Sequence, residues 1–121
     1  MATEAGELAA TNRINGNTAR DLIAARNPGS TIEVSFETSD GFRFVDVLTV
    51  GGVSIESKVG RTSLTADIRR QILKDKELID SEVIRGATFE FSPSPITGQV
   101  GPTKELKKFL EDNGIKIIIN E

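Results

Sequence analysis

Arg43-Phe44-Val45-Asp46-Val47-Leu48-Thr49-Val50-Gly51-Gly52-Val53-Ser54-Ile55-Glu56-Ser57-Lys58-Val59-Gly60 is the stretch on which the reading of this 121-residue chain turns. Phe42 to Leu48 and Val53 to Val59 are rich in β-branched and aromatic residues and flank a Val50-Gly51-Gly52 turn, so the spacing predicts two strands of a meander. Side chains two apart on a strand share a face, so Glu56 and Lys58 project together while Ser57 points away. On the preceding strand Phe44, Asp46 and Leu48 share a face, which sets an acid in line with apolar neighbours. A carboxylate there calls for a partner or a metal. The layout Asp-x9-Glu-x-Lys fits metal-dependent phosphodiester hydrolysis. Two carboxylates can hold a hard divalent cation, and an ammonium beside them can orient water or steady a phosphorane. The alternative is a solvated sheet face, on which such charges form weak pairs of a few tenths of a kcal/mol. The pattern alone leaves both readings open.

Outward from this stretch, Thr31 to Glu37 alternates Ile32, Val34 and Phe36 and leads through a Ser39-Asp40-Gly41 turn into the first of the two strands. Upstream, Asn17 is placed to cap a helix running to about Arg26, with Leu22 and Ile23 as its buried side and Asp21 one turn in; Asn27-Pro28-Gly29 ends it. Downstream, Ile68, Ile72, Leu73 and Ile79 recur at helical spacing between Thr65 and Asp80. A strand over Ala87 to Ser92 and a loop with Pro93, Pro95, Gly98 and Gly101-Pro102 follow. Thr103 caps a further helix to about Asn113, Gly114 stops it, and Ile115 to Ile119 reads as a final buried strand. The expected fold is α/β (α+β) in the order αβββαβαβ. Residues 1–16 read as a linker or loosely ordered arm, and 17–121 as one domain.

Composition narrows the chemistry. Without cysteine there are no disulfides, thiolate metal sites or cysteine nucleophiles, and without histidine there are no Ser-His-Asp triads or histidine-based nuclease sites. Any enzyme here works with carboxylates, Lys, Arg, Ser, Thr and a borrowed metal. Tyrosine and tryptophan are also absent, so six Phe are the only rings and an aromatic base-stacking platform is not expected. No apolar run approaches the roughly 20 residues needed to cross a bilayer, and Met1 to Ala10 lacks a signal-peptide pattern. The net charge of −3 argues against a general nucleic-acid binder. Its distribution softens this, because Lys58, Arg61, Arg69, Arg70, Lys74 and Lys76 face only Asp67 and Asp75 between positions 58 and 76, a net +4.

With Asp46 on the second strand and Glu56-x-Lys58 on the third, the element order resembles the PD-(D/E)XK nuclease superfamily, the restriction-endonuclease-like fold, over about Asn15 to Asn120. The stretches Gly16-Asn17-Thr18-Ala19-Arg20-Asp21, Arg43 to Thr49, Ile55 to Thr65, Gln71 to Asp75 and Ser94-Pro95-Ile96-Thr97-Gly98-x-x-Gly101-Pro102 are similar to the carboxy-terminal toxin domains of bacterial polymorphic toxins. Those are the cargo of contact-dependent growth inhibition and Rhs-type proteins.

The resemblance implies a mixed central sheet flanked by helices. It implies that Asp46 and Glu56 bind Mg²⁺ or Mn²⁺, Zn²⁺ being less suited, and that Lys58 activates or positions water. Asp21 would stand for the acid of the first helix, where many members carry Glu, and Gln71 for the helix glutamine that some branches use. Arg61, Arg69, Arg70 and Lys74 would contact phosphates, although each also suits a solvated face. The implied function is an endonuclease toxin acting on DNA, secreted or delivered within a larger protein, monomeric, without a membrane segment, and active in the target-cell cytoplasm. A cognate immunity protein would restrain it, docking an acidic surface on the +4 stretch. The alternatives are a tRNA- or RNA-cleaving toxin of the same fold and a non-catalytic interaction module in which Asp46, Glu56 and Lys58 form an ordinary ion network.

Overall fold

The meander forms as expected, and its third strand is where antiparallel pairing gives way to parallel. The computed structural model describes residues 16–121, so the arm expected over 1–16 lies outside the described residues apart from Gly16. Helix α1 covers 16–26 and is followed by β1 (Thr31–Thr38), β2 (Gly41–Leu48), β3 (Val53–Val59) and β4 (Arg61–Thr62). Next come α2 (Ala66–Asp80), β5 (Gly86–Ser92), β6 (Gly101–Pro102), α3 (Lys104–Asp112) and β7 (Lys116–Ile119). The long elements keep the order read from the sequence. The two-residue strands β4 and β6, which pair with each other in parallel, are additions too short to leave a periodic pattern.

One mixed sheet has the order β1-β2-β3-β5-β7, with β1, β2 and β3 antiparallel and β3, β5 and β7 parallel. Parallel neighbours need long crossovers, which α2 and α3 supply. Both helices start on a threonine whose hydroxyl accepts a backbone N–H, Thr65 from Ile68 and Thr103 from Leu106. Ile68, Ile72 and Leu78 of α2 and Leu106 and Leu110 of α3 pack on Phe89 and Phe91 of β5. On the opposite face Ile23 of α1 covers Val47 and Ile55. The sheet therefore lies between α1 and the α2–α3 pair. No helix among the described residues is long and apolar enough to cross a membrane.

Three apolar positions differ from expectation, one of them Ile119, which is 47% exposed at the end of the strand expected to be buried. Leu22 is exposed, because the face that α1 buries is the Ala19–Ile23 pair, four residues apart. Leu73 is exposed as well, and the buried stripe of α2 runs Ile68, Ile72, Asp75, Leu78, with a carboxylate at a core position.

The feature that shapes the site is a short ladder. β2 and β3 pair only at Val47–Ile55 and Leu48–Ser54, and one further step would set Asp46 opposite Glu56. Instead the strands part there, and the Ser57 N–H donates 2.8 Å to Asp46 Oδ2. On the other side of β2, the β1 residue in register with Asp46 is Glu33, which has a left-handed backbone at φ 54° and makes no ladder pair. Past this break the ribbon turns. Val47 packs under α1, whereas Arg43, four residues earlier, meets Asp75 of α2.

Candidate functional site

Glu56 and Lys58 rise from β3 toward α2, on the side where Glu56 neighbours Phe89 in register. Lys58 Nζ lies 3.1 Å from Glu56 Oε2, donates 3.1 Å to Gln71 Oε1 of α2, and sits 5.8 Å from the Phe89 ring centroid. The other carboxylate oxygen, Glu56 Oε1, accepts from Arg43 Nη2 at 3.0 Å. Arg43 also makes a forked contact to Asp75, 2.8 Å from Nε to Oδ1 and 3.2 Å from Nη2 to Oδ2, and its Nη1 donates to the Phe44 carbonyl. Arg43 and Asp75 are 2% and 1% exposed, so this pair is solvated by its own hydrogen bonds rather than by water. Burial alone would lower the Arg43 pKa, but the Asp75 and Glu56 charges outweigh it and hold the guanidinium above its ordinary value.

Asp46 completes the cluster from the parted edge of β2. Its carboxyl is near enough to that of Glu56 for the two to oppose each other's ionisation. Burial, and then the Glu56 charge, push the Asp46 pKa from 3.8 up to about 6, against the pull of the Ser57 N–H and Lys58. Three carboxylates, Asp46, Glu56 and Asp75, thus face two cations, Arg43 and Lys58, leaving one negative charge unbalanced among largely buried groups. The folded state keeps the Asp46 proton that the unfolded chain has already lost. Stability is therefore expected to fall as pH rises from about 4 to about 6, by on the order of 2–3 kcal/mol, and then to level off. Asp46→Asn should flatten this slope and melt higher than the unsubstituted protein at pH 7.5 in chelator. Thermal melts across that range check it, and an unchanged slope would contradict it.

The other candidates are dispersed. Asp21 is exposed, and its Oδ1 accepts from Arg20 at 3.0 Å, with Arg20 reaching Glu33 at 2.6 Å. Arg69 stacks over Phe109 of α3 at 4.6 Å, and Arg61 lies on β4 beside Gly60 and Gln99. Arg70 and Lys74 line a cavity of about 230 Å³ with Gln71, Phe42 and Phe44, so the +4 stretch of the sequence is divided among separate surfaces. On the α1 side, buried Glu90 pairs with Arg26 at 2.5 Å and accepts from Asn120 at 2.9 Å. An apolar hollow of about 530 Å³ beside α1 contains none of the carboxylate-cluster residues. Among the described residues no three His, Cys, Asp or Glu side chains are grouped as a metal cage.

Arg43 and Asp75 were not singled out in the sequence as site residues. Asp75 had a readable signal, a charge on the apolar stripe of α2. Arg43 had none, because a cation between Phe42 and Phe44 on an alternating strand belongs on the face that regular pairing gives it, and the ribbon's turn reassigns that face.

No protein-family model matches the chain, and no curated protein matches it. Two solved structures share its fold. The structure of Pyrococcus furiosus SfsA in complex with Ca²⁺ superposes with a TM-score of 0.55 at 15% identity, covering 93% of this chain. A crystal structure of a protein of unknown function gives 0.55 at 16% identity and covers 87%. The chain spans 56% of the length of each. At this identity the likeness is one of fold, a mixed sheet flanked by helices.

Proposed function

We propose that the protein is a divalent-metal-dependent nuclease that hydrolyses phosphodiester bonds, DNA before RNA. The observation behind this is the meeting of Asp46 and Glu56 where β2 and β3 part, with Lys58 Nζ 3.1 Å from Glu56. The residues suit Mg²⁺ or Mn²⁺. Two neighbouring carboxyls that oppose each other's ionisation favour either a proton or a cation between them, and Mg²⁺ typically takes one or two carboxylates, with water and substrate phosphate completing its shell. Glu56 Oε1 accepts from Arg43 and Oε2 pairs with Lys58, and each carboxylate oxygen has two lone pairs, so one such contact does not exhaust either. SfsA was solved with Ca²⁺, another oxygen-seeking cation.

When bound, such a cation lowers the pKa of its water and offsets charge on the phosphate. The chain's own residues do the positioning. Arg43, fixed to α2 through Asp75, holds Glu56 from one side, and Gln71 holds Lys58 from the other. This leaves the Lys58 ammonium directed at the carboxylate pair, where it can hydrogen-bond the attacking water and steady the phosphorane. Arg70 and Lys74 would take the backbone phosphates, a role supported by the hollow they share with Gln71, whereas Arg69 lies against Phe109. The role as a delivered toxin acting in the cytoplasm of a target cell and held by an immunity protein rests on the sequence resemblance.

Incubation of purified protein with supercoiled plasmid and with total RNA, each with Mg²⁺ and with chelator, tests the proposal. Mg²⁺-dependent loss of plasmid is expected; loss of RNA alone would reassign the substrate. One observation favours a second reading, a non-catalytic module with a structural ion network: both Glu56 oxygens are already engaged by cations. Inertness toward both nucleic acids in Mg²⁺ and in Mn²⁺ would select it.

A further inference from the structure

The β1–β2 hairpin displays two rings that the core does not use. Phe42 and Phe44, two apart on β2, are 53% and 67% exposed, with ring centroids 6.2 Å apart and planes tilted by 37°. Their strand is held in place. Lys74 Nζ donates 3.0 Å to the Phe42 carbonyl, the Ser39 N–H donates 2.8 Å to Glu77, and Arg43 Nη1 bonds the Phe44 carbonyl. Phe44 is a shared wall between two hollows. One is lined by Glu33, Val45 and Asp46, the other by Arg43, Asp67, Arg70, Gln71 and Lys74, in which three cations outnumber one acid. The rings thus stand between an acid of the proposed reaction centre and a cationic helix face, whose Gln71 also bonds Lys58.

Resting on the nuclease reading, we propose that Phe42 and Phe44 are a stacking platform for unpaired nucleobases, so that the site engages single-stranded or locally opened nucleic acid. Charge complementarity selects this occupant. A strand whose bases lie on the two rings would run its phosphates past Arg70 and Lys74 and on toward Asp46, whereas a neutral apolar partner would gain nothing from the cations. Base–aromatic stacking tolerates any base, while backbone contacts position the strand. The proposal departs from the composition-based expectation against such a platform, because stacking needs only an exposed ring face, which Phe supplies without Tyr or Trp.

The test measures binding by fluorescence anisotropy, in chelator so that nothing is cleaved. The probes are a labelled DNA strand of about 12 nucleotides, its RNA counterpart, its duplex, and an abasic strand of equal length. The unsubstituted protein should bind the DNA or RNA strand about ten-fold more tightly than the abasic strand, with the duplex weaker than the single strand. The F42A/F44A double variant should lose that difference, and F42L/F44L, which keeps apolar bulk without a π-face, should lose most of it. R70A/K74A should weaken the based and abasic strands in parallel. Equal binding of based and abasic strands, or a preference that survives F42A/F44A, overturns the platform. Self-association of the protein that F42A/F44A removes and F42L/F44L keeps, with no base preference, would make the patch a protein contact and also overturns it. Plasmid cleavage read on the same proteins separates the two proposals. Cleavage without base preference removes the platform alone, and base preference without cleavage supports the platform and removes the nuclease reading.

Discussion

Replacing Asp46 with Ala is expected to lower Mg²⁺-dependent plasmid cleavage by more than about a hundred-fold, the scale on which even outer partners of a catalytic metal act. Asp46 comes beside Glu56 because β2 stands apart from β3 on the N-terminal side of Val47, and among the described residues the other acids near the site are engaged elsewhere. Asp75 is committed through both oxygens to Arg43, and Asp21 is exposed with its Oδ1 on Arg20. The neighbouring substitution should behave differently. Lys58→Met removes the ammonium but leaves both carboxylates, so cleavage should fall to a similar degree while cation binding persists or strengthens, the competing charge being gone. The fold should survive both changes, since neither side chain belongs to the apolar core. Unchanged digestion by Asp46→Ala, or loss of cation binding in Lys58→Met, would contradict these assignments.

Arg43→Ala is expected to be the most damaging single change to stability, costing about 3–5 kcal/mol, because it leaves Asp75 buried without its cation and Glu56 with Lys58 alone. That is a large part of the roughly 5–15 kcal/mol that a domain of this kind has in total, and corresponds to a fall in Tm of about 15 °C or more. The cost arises from stranding charges rather than from losing an attraction. Replacing both partners, as in Arg43→Met with Asp75→Leu, should therefore recover most of the stability. Activity should not return with it, since Glu56 would have lost the donor that fixes its Oε1. Denaturant melts of the single and double variants check the first part, and plasmid cleavage by the double variant checks the second. A double variant no more stable than Arg43→Ala would contradict the argument.

Much of this fold was legible because its long elements follow simple periods. Strand alternation placed Glu56 and Lys58 on one face with Ser57 opposite, and the Lys58–Glu56 contact and the register of Ser57 beside Glu90 agree with that. Thr103 marked one helix start through its hydroxyl, and helical spacing set another near Thr65, whose hydroxyl caps it in the structure. Other features were hidden for identifiable reasons. The parting of β2 from β3 follows from side-chain capture of the Ser57 N–H by Asp46 and from the unusual backbone at Glu33, neither of which leaves a periodic trace. The same break turns Arg43 toward α2, so a residue that fixes Glu56 looked like an ordinary strand cation. The basic stretch misled in another way. Sequence proximity on α2 and β4 does not make a common surface, and Arg69 lies against Phe109 while Arg70 and Lys74 border the hairpin.

The central claim is that Asp46 and Glu56 hold a divalent cation where the two strands part. Calorimetric titration of Mn²⁺ into the protein at pH 7.5 addresses it without reference to any substrate. The account predicts saturable binding by the unsubstituted protein, its loss in Glu56→Gln and in Asp46→Asn, and its retention in Lys58→Met. Absence of binding in the unsubstituted protein, or a Glu56→Gln titration indistinguishable from it, would contradict the account.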